Sequence, residues 1–224
     1  GGESSSVEVS SGASCGDVLK LGLSGKQFKA ALAARVTLPD GEKLYDLSSP
    51  LPENARTVVP VTAEDPDGLA LLRHSTSHIM AAAVQRLFPD AKVTIGPSID
   101  SGFYYDFEVE RPFTADDLPL IEEEMRKIVA EDALFVRSEM AKADAVNLFK
   151  SKGESYKAEI IEAIDADSVS LYQCGEFLDL CRGPHLPRTG LAKAFKLLSV
   201  AGAYWRGDEK NPMLSRIYGT AFGD

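Results

Sequence analysis

The chain of 224 residues is poor in the side chains that carry sulfur and imidazole chemistry, with three cysteines and three histidines. Cys15, Cys174 and Cys181 are scattered and odd in number. That excludes a disulfide framework and fits a reducing, cytoplasmic setting. No apolar run approaches the roughly 18–20 residues of a membrane span, so a soluble chain without a membrane partner is expected. The opening Gly1-Gly2-Glu3-Ser4-Ser5-Ser6 has neither an initiator methionine nor an apolar core segment. It reads as a trimmed chain without a secretory signal. Positive charge is also short: 24 Lys and Arg stand against 34 Asp and Glu, a net −10. Such a balance argues against nonspecific nucleic-acid binding. There is no internal repeat, and no low-complexity stretch beyond the N-terminal serines.

What histidine there is falls in two motifs, His74-x-x-x-His78 and Cys181-x-x-x-His185. A spacing of four on a helix stacks the first pair on one face. The second pair flanks a Gly-Pro turn. A single helical histidine is usually packing or surface. Two such pairs, in a chain with no other histidine, favour a site. The four groups are able to bind a divalent metal or to position and activate a water.

Charge is unevenly spread. Residues 110–132 hold eight acids against three bases, whereas 181–216 hold seven bases against two acids, a local +5. The basic stretch is interleaved with Phe195, Tyr204 and Trp205, a pattern suited to phosphate and base contacts, although charge runs are usually solvated faces.

Patterning predicts an α+β protein in two parts. Residues 1–62 read as a small unit. It has a short strand at Val7-Glu8-Val9, helices over 15–21 and 26–32, a strand at Val36-Thr37-Leu38, a Pro39-Asp40-Gly41 turn, Leu44 to Leu47, and a β-branched strand over 57–61. Strands around a helix at this size suggest a β-grasp-like fold. Residues 63–68 form a linker in which Asp65-Pro66 reads as an N-cap followed by proline at the first helical position. In the second part, 63–224, an alanine-rich helix carries His74 and His78 and stops at Pro89. A hairpin places Phe103, Tyr105, Phe107 and Val109 on one face. Thr114 caps a helix with the stripe Leu118, Ile121, Met125 and Ile128. Then come a strand over 135–140, helices over 142–151 and 155–164, a second hairpin around Gly175, and a last strand over 194–200. The Gly-rich tail shows no clear regular structure. The sheet is expected to be mostly antiparallel.

Five segments together resemble one family. They are Arg73-His74-Ser75-Thr76-Ser77-His78, Ile95-Gly96-Pro97 with Gly102-Phe103-Tyr104-Tyr105-Asp106, Gly153-Glu154-Ser155-Tyr156-Lys157, Asp179-Leu180-Cys181-Arg182-Gly183-Pro184-His185, and Ala201-Gly202-Ala203-Tyr204-Trp205-Arg206-Gly207-Asp208. They look like the amino-terminal half of a bacterial-type threonyl-tRNA synthetase, and Arg216 to Phe222 resembles the joint before that family's catalytic domain. The likeness covers nearly the whole chain. Residues 1–62 resemble the family's TGS domain with a shortened opening strand, and 63–224 resemble its editing domain.

The resemblance implies proofreading hydrolysis of seryl-tRNA(Thr). Serine is threonine without a methyl, and one methyl supplies only about 1–3 kcal/mol of discrimination, so a second pocket that excludes threonine by size is needed. By matching positions, the catalytic groups are His74, Lys157 and His185. The imidazoles move protons near working pH, and Lys157 faces the ester oxygens or a water. Asp179 receives the serine ammonium or hydroxyl. His78, Gly96, Tyr105 and Cys181 complete the pocket, although Tyr105 equally suits core by its alternation. Arg182 and Arg206 are candidates for tRNA phosphates. No metal cofactor is implied, whereas related alanyl-editing domains use such a His/His/Cys/His set for zinc. The alternative functions are therefore a zinc-dependent aminoacyl-tRNA hydrolase on His74, His78, Cys181 and His185, and a noncatalytic tRNA- or partner-binding module. The partner is tRNA(Thr) carrying serine, with a homodimer expected through the missing catalytic domain. No aminoacylation is expected of these residues.

Overall fold

The computed structural model describes residues 6–223. Two short helices open the chain, α1 (Cys15–Gly22) and α2 (Gly25–Ala30). Both start in capping boxes, Ser14 with Asp17 and Ser24 with Gln27, which satisfy the orphan N–H groups of the first turn. Strands β1 (Ala33–Leu38), β2 (Gly41–Tyr45) and β3 (Thr57–Val61) form an antiparallel sheet in the order β2-β1-β3. The Pro39-Asp40 turn joins β1 to β2, as expected, with Gly41 at φ +131°. The expected strand at Val7-Glu8-Val9 does not form. Val9 is exposed and Val7 only half-buried, so no apolar face draws the segment onto the sheet.

β1 faces two ways. Ala34, Val36 and Leu38 pack on Cys15 and Leu19 in a small core. Ala33 joins Leu32 and Val61 in the large core with Leu71 and Leu72. The N-terminal sheet is thus welded to the rest of the molecule.

The centre of that rest is α3 (Pro66–Leu87), buried all round from Leu71 to Val84 except at His74. A helix buried on every side belongs to the middle of a core. Asp65 occupies its N-cap position, but its carboxylate accepts from the Thr62 N–H at 2.7 Å instead of capping the helix. α3 packs on α4 (Asp117–Glu131) and on a five-stranded antiparallel sheet. That sheet runs β10 (Ala194–Tyr204), β11 (Met213–Phe222), β6 (Gly102–Glu108), β4 (Lys92–Val93), with β5 (Ser98–Ile99) also paired to β6. Phe103, Tyr105 and Phe107 of β6 are fully buried, each such burial stabilising the fold by about 1.5–3 kcal/mol. A second antiparallel sheet, β7 (Phe135–Ala141), β8 (Ser168–Cys174) and β9 (Phe177–Leu180), packs against α5 (Lys142–Ser151) with α6 (Ser155–Glu162) beside it.

Three further expectations are corrected. The tail is not irregular: β11 is a ten-residue strand between β10 and β6. Its buried positions include Gly219 and Ala221, which have little β propensity and hide the alternation. A Cβ on Gly219 would meet the Phe103 ring at 2.5 Å, so the glycine makes room for the aromatic face of β6. Thr114 does not cap α4. Its N–H and hydroxyl both donate to Asp117 Oδ2, at 2.7 and 3.1 Å. The basic stretch is not a free positive face. Arg188, Lys196, Arg206 and Arg216 are paired with Asp132, Glu122, Glu159 and Asp106 at 2.7 to 2.8 Å. The acids lie far away in sequence, so a local charge count could not see them. The α+β class and the antiparallel pairing stand as expected.

Candidate active site

α3 presents His74 and His78 one turn apart, with ring centroids 4.8 Å from each other. β9 ends at Leu180, and the loop after it brings Cys181 and His185 against them. The His185 ring lies 4.6 Å from that of His74 and 4.3 Å from that of His78. Cys181 Sγ sits 3.0 Å from His74 Nε2 and 3.2 Å from His185 Nε2. The ligand atoms of all four lie within 4.8 Å of one another, a cluster that could hold a metal ion. His78 and His185 are buried, while His74 and Cys181 are half-buried and form the side that solvent reaches.

Ser75 Oγ accepts from the Leu186 N–H at 3.0 Å and lies 2.9 Å from His185 Nδ1. The Ser75 hydroxyl donates to Nδ1 in one His185 tautomer and accepts from it in the other, and in the first the His185 proton is on Nε2, facing the sulfur. His74 Nε2 and the Cys181 thiol share one hydrogen bond whose direction follows the His74 tautomer. Burial lowers all three imidazole pKa values, and for His78 and His185 to well below the ordinary range. The histidines are therefore neutral at neutral pH, not poised at working pH as the bare residue type suggests. Burial also pushes the Cys181 thiol up to about 12, so it keeps its proton.

Behind the cluster lies a buried ionic group. Lys157 of α6 and Asp179 of β9 are 3% and 1% exposed, and Nζ stands 2.5 Å from Oδ1. Among the described residues no donor is aligned on that oxygen as a hydrogen bond. Tyr105 O–H donates to Asp179 Oδ2 at 2.7 Å and accepts from Lys157 Nζ at 3.0 Å. His78 Nδ1 is 3.5 Å from the same Oδ2. Tyr105 is thus both core and site, because its ring packs on Phe107 while its hydroxyl bridges the ion pair. Gly96 is needed for close approach: a Cβ there would stand 1.9 Å from the Tyr105 ring. An ammonium arriving at Asp179 would have to share the carboxylate with Lys157.

So eight of the ten residues singled out in the sequence meet in one place: His74, His78, Gly96, Tyr105, Lys157, Asp179, Cys181 and His185. Arg182 follows Cys181 and is exposed, with no ion pair among the described residues. Arg206 is on a different stretch, at φ +55°, and its guanidinium is paired with Glu159 at 2.8 Å. Sequence reasoning missed Ser75, Ser77, Phe135, Tyr172 and Asp46. Ser75 and Ser77 stood inside the His74-x-x-x-His78 motif, and Ser77 Oγ donates to the Gly96 carbonyl at 3.0 Å. Phe135 stacks on His185 at 4.8 Å and 3°. No local signal marked it.

A cavity of about 200 Å³ lies beyond Phe177, lined by Ala82, Gln85, Arg86, Glu131 and Cys174 among others. It contains none of the convergent titratable groups, which argue for the histidine cluster as the site.

Residues 169–218 match the family described as the threonyl and alanyl tRNA synthetase second additional domain. Across 222 residues, 99% of this chain, the sequence is 64% identical to a threonine–tRNA ligase of Nitratidesulfovibrio vulgaris. Similar enzymes of Oleidesulfovibrio alaskensis and Desulfovibrio desulfuricans are 60% and 59% identical over the same share. The chain is thus similar to threonine–tRNA ligases along nearly its whole length. It spans about a third of the length of these relatives, 34%. The matched family segment holds Asp179, Cys181 and His185, while His74, His78 and Lys157 come from α3 and α6, outside it.

Proposed function

We propose that this chain hydrolyses the ester of seryl-tRNA(Thr), the mischarged product of its own synthetase. The carrying observation is the convergence of three neutral imidazoles and a thiol on a buried lysine–carboxylate pair, in a chain similar to threonine–tRNA ligases. In the reaction a water adds to the ester carbonyl, the C–O bond to the terminal ribose breaks, and the ribose oxygen leaves with a proton. Serine and a free tRNA 3′ end result. The water enters by the half-buried side, between His74 and Cys181. A neutral imidazole takes its proton, and His74 is the most accessible of the three. His185, held at both ring nitrogens, orients the thiol and completes the relay. Lys157 supplies the positive charge that the developing oxyanion needs. The Asp179 carboxylate, with Oδ1 short of an aligned donor, is suited to bind the serine ammonium as Lys157 shifts toward the ester oxygens.

The side chains fit zinc as well, since two or three imidazoles and a thiolate make an ordinary zinc set. Three of the four would hold it with one position open, and it would then lower the pKa of a water bound there. We favour hydrolysis without metal on the chemistry of the donor set. A zinc ion on all four would be coordinatively closed, and His74, His185 and Cys181 already have hydrogen-bond partners in one another and in Ser75, while His78 faces Asp179 at 3.5 Å.

The same proposal treats residues 1–62 as a TGS-like β-grasp unit and 63–224 as the editing domain, acting on tRNA(Thr) in the cytoplasm within a homodimeric enzyme. No helix among the described residues is long and apolar enough to cross a membrane. The test is deacylation of seryl-tRNA(Thr) against threonyl-tRNA(Thr) by the chain at saturating concentration. Hydrolysis of the first with sparing of the second is expected. Equal hydrolysis of both, or of neither, refutes the assignment.

A further inference from the structure

The N-terminal unit reaches into the site through one side chain. Asp46 follows β2, is 8% exposed, and lies against the loop that carries His185. Its Oδ1 accepts the His185 backbone N–H at 2.8 Å, and its Oδ2 accepts the Tyr172 O–H at 2.6 Å. Tyr172 of β8 in turn lies 4.5 Å from the His185 ring, which Phe135 covers on another side. Gly183 makes the approach possible. It adopts φ +69°, and a Cβ there would stand 1.9 Å from the Tyr172 hydroxyl. The histidine most deeply enclosed in the cluster is therefore held from behind by a carboxylate 139 residues away in sequence.

A buried carboxylate needs donors, and its two shortest bonds here come from the backbone of one site residue and the hydroxyl of the ring packed on it, with the Ser49 hydroxyl a third donor to Oδ2 at 3.4 Å. We infer that Asp46 is a positioning residue for the hydrolytic site. It sets the placement of His185, so the N-terminal unit is a working part of the proofreading pocket. This rests on the hydrolytic function proposed above. Geometry explains the sensitivity: His185 Nδ1 and Nε2 each have one partner, Ser75 and Cys181, and a backbone displacement of an ångström would break both.

The test uses the whole chain and its Asp46→Ala, Asp46→Asn and Val36→Ala variants. Val36 is fully buried in the small core and touches nothing in the site, so Val36→Ala loosens the N-terminal unit without removing the carboxylate. Single-turnover deacylation of seryl-tRNA(Thr) is measured together with substrate affinity. The imidazole ¹⁵N shifts are recorded too, since the chain has three histidines and the signals are resolvable. Asp46→Ala is expected to lower the rate constant roughly 10-fold or more at unchanged affinity, and to move the His185 signal. Asp46→Asn keeps an acceptor for the His185 N–H and should recover part of the rate. Val36→Ala should lower the melting temperature while keeping the rate constant and the His185 signal. Rates and signals equal to wild type in both Asp46 variants overturn the inference, as does an equal loss in Val36→Ala. If Asp46→Ala does not fold, Asp46→Asn decides on the same two readouts. A wild-type chain that leaves seryl-tRNA(Thr) intact refutes the hydrolytic function alone, and the His185 shift then decides the positioning.

Discussion

Removing the ammonium of Lys157 should cost as much stability as a typical core truncation although no core volume is lost, and adding a second substitution should restore much of it. The pair is nearly sealed, with side chains 4% and 1% exposed and Nζ 2.5 Å from Oδ1. In Lys157→Met the aliphatic stem is kept, so packing changes little, but Asp179 is left as an uncompensated buried charge. Breaking such a pair costs about 3–5 kcal/mol. The Tyr105 O–H still donates to Oδ2 and His78 remains 3.5 Å away, which places the expectation at the lower end, about 3 kcal/mol. In Lys157→Met/Asp179→Asn the charge is gone and Asn still offers Tyr105 an acceptor. The double variant should therefore be more stable than Lys157→Met, with a coupling of about 1–3 kcal/mol. Urea unfolding of the wild type, both single variants and the double variant measures the cycle. Deacylation separates fold from chemistry. Stability should recover in the double variant while the rate stays down by about 10²-fold, because the cation that faces the oxyanion is still missing. A Lys157→Met protein within about 1 kcal/mol of wild type would show that the pair is solvated and that its burial carries no energetic weight.

Other outcomes follow from the same geometry. In metal-free protein the buried His78 and His185 and the half-buried His74 have lowered pKa values, so the unfolded state binds more protons than the folded one. Their contribution is complete above the ordinary value of 6.5 and is lost as pH falls below it, by at most about 1.4 kcal/mol per pH unit for each. Glu154, whose carboxyl is raised by burial, works in the opposite sense, so the urea series is run in a Glu154→Gln background; stability that holds level between about pH 7 and pH 5 refutes neutral burial of the imidazoles. Cys181→Ser should keep most of the deacylation rate, because serine preserves a donor beside His74, whereas stoichiometric zinc in the wild type that is lost with activity in the variant would establish the metal alternative. Arg182→Ala should lower the slope of log affinity for tRNA against log salt by about one unit at most, and Arg206→Ala by less, since Glu159 already neutralises Arg206; the reverse order would put the phosphate track on the Arg206 side.

Most of the site could be read in advance because its chemistry sits in short motifs. His74 and His78 had to share a helix face, and Cys181 and His185 had to share a turn, whatever the rest of the chain did. The helices and hairpins were equally legible where period and capping agreed, as in α3, β6 and the β8–β9 pair. What stayed hidden had physical reasons. β11 fills its inner face with Gly219 and Ala221, where bulk from Phe103 replaces bulk in the strand itself. The basic run from 181 to 216 was counted correctly, yet four of its seven bases meet acids that folding brings from elsewhere. Asp46 is the sharpest case. In sequence it is one acid in a loop after a short strand, with nothing to separate it from Asp40 or Glu42. Only the weld of β1 and β3 onto α3 places it behind His185, and that weld depends on Ala33 and Val61, whose small or β-branched side chains let the two parts close. Residues that do the chemistry announce themselves by type and spacing. Residues that hold them in place are chosen by packing, and packing has no local spelling.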